Sequence, residues 1–248
     1  MCNAPESNQW YAHWFDSSFY HLLYQHRDPQ EATQFINELM CFLAPSKGAR
    51  ILDLACGKGR HARAMHAHGY NITGVDLSLQ SIEAARKELP QGLHFDVHDM
   101  RDVYRPKAFE LVVSLFTSFG YFADPADDQR VLNSVAAALV PGGRFVLDFM
   151  NADYVTRKLV PSEEIVRGNI TFRIQRTVVD GMIHKNIAFQ AGGHSYNFQE
   201  HVRAYNLEGL SALFTNAGFK VCKTFGSYRL EGFDAAQSDR LIVVGQLG

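Results

Sequence analysis

Arg50-Ile51-Leu52-Asp53-Leu54-Ala55-Cys56-Gly57-Lys58-Gly59-Arg60-His61 is the stretch whose reading decides the fold. Ile51, Leu52, Leu54 and Ala55 form a short apolar run that reads as a strand buried in a parallel sheet. Gly57 and Gly59 make a turn without Cβ atoms, so a ligand can come close to the backbone. From Arg60 to His68 the residues favour a helix, with Ala62, Met65 and Ala67 at packing positions. Strand, bare turn and helix N-terminus together predict a nucleotide-type pocket at the carboxyl end of a strand.

The turn has two readings. Gly57-Lys58-Gly59-Arg60-His61-Ala62 satisfies the G-x-G-x-x-G/A dinucleotide pattern, a weak signal alone. It is not a P-loop, because Leu52 stands where the first glycine belongs and Gly59 follows Lys58 in place of Ser or Thr. Asp53, four residues before Gly57, separates the two. A carboxylate that close would repel a pyrophosphate but favours a ligand carrying ammonium or sulfonium charge.

Outward from the turn the pattern repeats. Asn71-Ile72-Thr73-Gly74-Val75-Asp76 reads as a second strand ending in an acid, and Asp76 lies 17 residues beyond Gly59, near the spacing at which a carboxylate meets a ribose diol. Ser78 would cap a helix running through Ile82, Ala84, Ala85 and Leu89 to Pro90. Leu93 to Met100 supplies a third strand with Asp99 at its end. His94, Asp96 and His98 alternate there and would share one strand face, but the chain offers no obvious fourth ligand, so no metal is expected. Phe109 to Phe116 is a fourth strand apolar enough to be buried on both faces. A helix from Asp127 to Leu139 leads through Pro141-Gly142-Gly143 to a fifth strand, Arg144 to Phe149.

Asp53-Leu54-Ala55-Cys56-Gly57-Lys58-Gly59 resembles motif I of the class I S-adenosylmethionine-dependent methyltransferases, and the acids Asp76 and Asp99 fall where that family has its next two. Leu139 to Arg144, Asn216-Ala217-Gly218-Phe219 and Leu241 to Val244 are similar to the family's turn before strand five, its entry to strand six and its antiparallel strand seven. The resemblance covers about residues 45–150 and 206–248. It implies an α/β fold: a Rossmann-like seven-stranded sheet in order 3-2-1-4-5-7-6 with strand 7 antiparallel, helices on both faces, and an antiparallel β insertion after strand 5.

The same resemblance implies S-adenosyl-L-methionine as cofactor. It assigns cofactor contacts to Asp53, Ala55, Cys56, Gly57 and Gly59, to Asp76 with Leu77 and Ser78, to Asp99 with Met100, and to Leu115 and Phe116. Asp76 would hold the ribose, Asp99 the adenine amino group, and Met100 would cover the ring. The aromatic N-terminal segment (Trp10, Tyr11, Trp14, Phe15, Phe19, Tyr20, Tyr24) is similar to the helical cap of small-molecule members. Tyr20 and Arg27 are its candidate cofactor contacts, Arg27 through the cofactor carboxylate.

Thr117-Ser118-Phe119-Gly120-Tyr121-Phe122 follows strand four, where the acceptor should approach. It lacks the Asn/Asp-Pro-Pro-Tyr/Phe turn of enzymes acting on DNA or protein amides and offers an aromatic wall, with Tyr121 the residue most suited to hold an acceptor amine or hydroxyl. After residue 151 the pattern changes. Ile170 to Val179 alternates, Asp180-Gly181 signals a hairpin, Met182 to Phe189 returns, and Ser195 to Tyr205 gives a third extended run. Residues 1–45 thus read as a helical cap, 46–151 and 206–248 as the cofactor-binding core, and 152–205 as a β insertion that serves as substrate lid or dimer contact. His201 and Tyr196 join Tyr121 as catalytic candidates. The expected reaction is methyl transfer by in-line displacement to a small-molecule acceptor, nitrogen favoured.

Composition bounds the rest. A net charge of −2 argues against bulk attraction to nucleic acid. No apolar run approaches the ~20 residues that span a bilayer, the first residues do not read as a secretion signal, and the four cysteines have no C-x-x-C spacing. The reading is a cytoplasmic protein, monomer or homodimer, with a small-molecule substrate and neither nucleic acid nor membrane partners. Two rivals remain open on sequence: a nicotinamide-dependent (NAD) oxidoreductase, and a noncatalytic S-adenosylmethionine-binding protein.

Overall fold

The computed structural model describes residues 10–24 and 29–248. Along the chain run α1 (Trp10–Phe15), α2 (Ser18–Leu23), α3 (Pro29–Leu43), β1 (Arg50–Leu54), α4 (Arg60–Ala67), β2 (Asn71–Asp76), α5 (Leu79–Ala85), β3 (Leu93–Val97) and β4 (Phe109–Ser114). They are followed by α6 (Pro125–Ala138), β5 (Leu139–Met150), α7 (Ala152–Arg157), β6 (Ser162–Arg167), β7 (Ile170–Val179), β8 (Met182–Ala191), β9 (His194–Arg203), α8 (Leu207–Asn216), β10 (Phe219–Phe225) and β11 (Arg240–Leu247).

The main sheet has seven strands in the order β10-β11-β5-β4-β1-β2-β3. Its first five strands in sequence are parallel, and β11 runs antiparallel between β5 and β10. This is the expected order 3-2-1-4-5-7-6. Two apolar layers cover it. One is built on Leu52, Val112, Phe145, Leu147 and Phe149, the other on Ile51, Leu111, Val113, Val146 and Ile242 with Phe35, Ile36 and Leu39 of α3. Neighbouring strand residues contribute to opposite layers, as strands sandwiched between two helical layers must.

The second sheet is antiparallel, in the order β6-β7-β8-β9. It holds four strands where three extended runs were expected. The unexpected one, β6, reads Ser-Glu-Glu-Ile-Val-Arg, is an edge strand and buries none of its residues fully. Helix α7, also unexpected, opens the insertion. On the sheet's inner face Ile170, Phe172, Ile174, Ile187 and Phe189 pack with Trp14 and Leu23 of the N-terminal helices, so the aromatic N-terminal segment is in part the core of this second layer.

Other boundaries differ from the sequence pattern. The helix expected to reach Pro90 ends at Ala85, and Glu88 beyond it has φ +56°. Strand β5 begins at Leu139, ahead of Pro141-Gly142-Gly143, with an irregular register against β4 at its start. The aromatic N-terminal segment breaks into α1 and α2 at Asp16–Ser17, where the Ser17 hydroxyl accepts the Phe19 amide at 3.2 Å. No helix among the described residues is long and apolar enough to cross a membrane.

Candidate active site

The carboxyl ends of β1, β2, β3 and β4 open into one cavity of about 600 Å³, closed on its far side by α1, α2 and residues of β7, β8 and β9. The loop after β1 is fixed by backbone bonds. Cys56 N–H donates to Val75 O at 3.0 Å and Gly59 N–H to Cys56 O at 3.0 Å. Ala55 (φ +60°) and Gly57 (φ +54°) both take left-handed backbone, and a Cβ on Gly57 would meet nothing within 4 Å. Ala55, Cys56, Gly57 and Lys58 line the cavity.

Gly59 does not line it. At φ +77° its missing Cβ makes room for the Phe95 ring, 2.3 Å from where that atom would sit. The second glycine of the turn lets helix α4 approach β3, while the first presents backbone to the cavity.

Asp76 ends β2 and lines the cavity; its Oδ2 accepts the Gly57 amide at 2.8 Å and its Oδ1 the Ser78 amide at 2.9 Å. Burial raises its pKa against the pull of these two amides. Leu77 reaches the cavity, whereas Ser78 does not. Its hydroxyl caps α5 by accepting the Ser81 amide at 2.9 Å and donates to the Asp16 carboxylate between α1 and α2. Asp99 lines the cavity in a forked pair with Arg101, 2.6 Å at the shortest, and Arg101 also reaches Asp127 at 3.0 Å. Burial works to raise Asp99, but the Arg101 hydrogen bonds outweigh it and hold the acid below its ordinary range.

Asp53 is 1% exposed and lies beneath the loop, outside the lining. Burial first, and then the Asp76 charge, push it up to about 7, against the Ala62 amide and Arg60. Its Oδ2 is buried without a hydrogen-bond partner among the described residues. His61, on the first turn of α4, faces the cavity and is pushed down to about 3 by burial and by Arg60, so it is neutral.

Met100, Leu115, Phe116 and Tyr20 also line the cavity. Phe116 (φ +68°) and Thr117 (φ +60°) are held in left-handed backbone by a buried brace. Asp148 Oδ2 accepts the Phe116 amide at 2.7 Å, Asp148 Oδ1 pairs with Arg240 at 2.5 Å, and Arg240 donates to the Thr117 hydroxyl at 3.0 Å. Left-handed non-glycine residues cost of order 1–3 kcal/mol and persist only where the surroundings over-determine them. Nothing in the sequence pattern announces this brace, because its members are distant along the chain.

Of the three catalytic candidates the cavity takes one. Tyr121 lines it, its hydroxyl donating to Thr117 O. Tyr196 is packed against Phe19 and Phe189, and His201 meets His184 through Nδ1···Nδ1 at 2.8 Å; neither lines the cavity. Asp96 pairs with Arg86 and Tyr104, and His98 Nε2 sits 2.9 Å from Asp102 O, so these alternating residues of the β3 segment have separate partners. Arg27 lies outside the described residues. Arg176, Lys185 and Glu200, from the second sheet, line the cavity, and nothing in their sequence setting singles them out.

The residues present fit a sulfonium cofactor. The Gly57 position offers open space above a bare backbone, Asp76 and Asp99 face the same cavity, and the partnerless Oδ2 of Asp53 places latent negative charge under the loop.

Comparison with known proteins agrees. The methyltransferase domain family matches residues 24–224. The chain is 28% identical over 216 residues to dTDP-3-amino-3,4,6-trideoxy-alpha-D-glucopyranose N,N-dimethyltransferase of Streptomyces venezuelae, covering 80% of this chain and 83% of that enzyme. It is also 28% identical over 184 residues, 71% of each chain, to dTDP-3-amino-3,6-dideoxy-alpha-D-glucopyranose N,N-dimethyltransferase of Streptomyces fradiae. Among solved structures, an S-adenosylmethionine-dependent methyltransferase from Clostridium acetobutylicum superposes with a TM-score of 0.78 at 20% identity, over 96% of this chain and 98% of that one. The chain therefore belongs to the methyltransferase domain family and is an S-adenosylmethionine-dependent methyltransferase.

Proposed function

We propose that this enzyme methylates the nitrogen of a small-molecule amine, with an amino sugar as the acceptor class. The observation that carries the reading is the continuous cavity of about 600 Å³, which runs from the strand ends to the second sheet and is walled by Trp10, Tyr11, Phe15 and Tyr121. That volume is in the range of small-molecule sites. The choice of nitrogen and of an amino sugar is supported by the activities of the two Streptomyces relatives.

S-adenosylmethionine supplies a methyl group on a sulfonium, so the acceptor nitrogen bonds to the methyl carbon as the carbon–sulfur bond breaks and the positive charge passes to nitrogen. The chain's own part is to bind, align and exclude water, and alignment can lower such a barrier by ~7–11 kcal/mol. In this reading Gly57 gives backbone access, Asp76 holds the ribose hydroxyls with lone pairs not used by the two amides, and Asp99 and Met100 take the adenine. Tyr121 lines the acceptor side, and residues 152–205 form its lid.

The test is methyl transfer from labelled S-adenosylmethionine to a dTDP-3-amino sugar and to its 3-hydroxy counterpart. Transfer to the amine alone is expected; transfer to the hydroxyl alone would sink the reading. Asp76→Ala should weaken S-adenosylmethionine about tenfold or more by calorimetry, since a charge-assisted hydrogen bond is lost.

A further inference from the structure

We infer that Glu200 is the carboxylate that receives the acceptor's amine nitrogen and that Lys185 is its tuning partner; the inference rests on the N-methylation reading above. Lys185 and Glu200 stand directly opposite each other on β8 and β9. They share the inner face of the second sheet with the apolar Ile183, Ile187 and Phe198 and with Arg176 of β7, which stands beside Lys185 and pairs with Glu163 of β6. Their side chains are only 13% and 15% exposed, yet both reach the cavity. Taking two charges out of water is costly unless geometry and hydrogen bonds compensate.

Here the compensation is one-sided. Glu200 Oε1 accepts two bonds, from Trp14 Nε1 at 2.7 Å and from the Tyr24 hydroxyl at 2.8 Å. Oε2 has a 3.5 Å ion pair with Lys185 Nζ, while the ammonium directs a hydrogen bond to the Tyr24 hydroxyl. Among the described residues, one carboxylate oxygen is thus anchored and the other is held only by a longer ion pair.

Among the described residues lining the cavity, the other acids are Asp76 and Asp99. Both stand at the ends of strands in the main sheet, one occupied by two backbone amides and the other by Arg101. Glu200 is the acid on the opposite wall, where an acceptor would approach.

The chemistry suits an amine better than a hydroxyl. An acceptor N–H donates to Oε2. As nitrogen bonds to the methyl carbon and the carbon–sulfur bond breaks, sulfur keeps the electron pair and nitrogen becomes positive. A fixed carboxylate beside that nitrogen is worth more in the transition state than in the ground state. The product ammonium then gives its extra proton to solvent. Lys185 acts in the complementary sense, because its charge disfavours an acceptor that arrives protonated, and the bound amine keeps its lone pair.

The experiment uses the full chain saturated with S-adenosylhomocysteine, titrated with a dTDP-3-amino sugar, its 3-hydroxy counterpart and glycine, followed by kinetics on any amine that binds. Wild type should bind the amino sugar at least tenfold more tightly than the hydroxy sugar. Glu200→Gln, which keeps an acceptor for Trp14 and Tyr24, should reduce that preference to under threefold with unchanged S-adenosylhomocysteine affinity. Lys185→Met should tighten amine binding while lowering kcat, a split that mere structural damage would not produce. Equal affinity for the two sugars, no binding of any amine by wild type, or a preference that survives in Glu200→Gln overturns the inference. If both wild type and Glu200→Gln methylate the amine with the same kcat/KM, N-methylation stands and the role of Glu200 falls. If wild type methylates only the hydroxy sugar, the underlying reading falls with it.

Discussion

In the main sheet β1 buries four residues in a row, Ile51 to Leu54, whereas in the second sheet β7 buries every other one, Ile170, Phe172 and Ile174, and leaves Thr171, Arg173 and Gln175 to solvent. A sheet covered on both faces has room for polar side chains chiefly at its strand ends, and there the glycine turn after β1 and the acids Asp76 and Asp99 are found. The inner face of the second sheet borders the cavity, and there Lys185 and Glu200, in mid-strand on β8 and β9, bring charge to it. The two sheets thus divide the site by a burial rule: one supplies backbone and strand-end acids, the other supplies side chains.

The sharpest way to break this division is to compare ion pairs in the two sheets. Asp148–Arg240 crosses β5 and β11, with Asp148 1% exposed, while Arg173–Glu164 crosses β7 and β6 at 72% and 60% exposure. Asp148→Ala should cost about 3–5 kcal/mol in urea unfolding, because it strands a buried guanidinium, and should loosen Phe116 and Thr117. Glu164→Gln, the smallest effect expected here, should stay within about 0.5 kcal/mol.

Between these extremes lie the two glycines of the turn. Gly59→Ala forces a methyl into the Phe95 ring at a left-handed backbone position, an overpacking cost of ~1–3 kcal/mol before backbone strain is added. Gly57→Ala meets no atom within 4 Å and should cost the fold only about 1 kcal/mol of strain, yet weaken S-adenosylmethionine strongly. If Gly57→Ala proved the more destabilising in thermal unfolding, the separate roles given to the two glycines would be wrong.

A subtler contrast is set by pH. Asp53 is pushed up to about 7 in the folded chain from an ordinary value of 3.8. Between those values the native state holds a proton that the unfolded chain has lost, so this group's contribution to stability falls as pH rises from about 4 to 7. Asp53→Asn should flatten that part of the stability–pH curve, and an unchanged slope would show that Asp53 is ionised throughout.

The sequence is most readable where one local rule dominates. Apolar runs ending in Asp76 and Asp99, the Ser78 cap and the Asp180-Gly181 hairpin need only near neighbours. Strand β6 escapes such reading because Ser162–Arg167 is an edge strand whose residues are exposed or half-buried in alternation, with no apolar stripe to mark it. Glu200 escapes it because its meaning comes from Trp14 and Tyr24, 186 and 176 residues away. Gly59 shows a different limit. A missing Cβ reads alike whether a ligand or the Phe95 ring occupies the space, and only the packing tells them apart.

The end of β9 also bears on how such an enzyme could be altered. Arg203 bonds through its backbone amide to Gly120 O and through its guanidinium to Asp128, Phe122 O and Ala123 O. The second sheet is therefore sewn to the loop that carries Tyr121. A chimera made by grafting another family member's insertion onto this core would inherit a foreign sheet over a native loop, and the buried Asp128 would keep its ion pair only where the graft supplies an arginine in place of Arg203. An exchange of the second sheet that keeps these bonds must move Gly120–Asp128 together with residues 152–205, as one inherited unit.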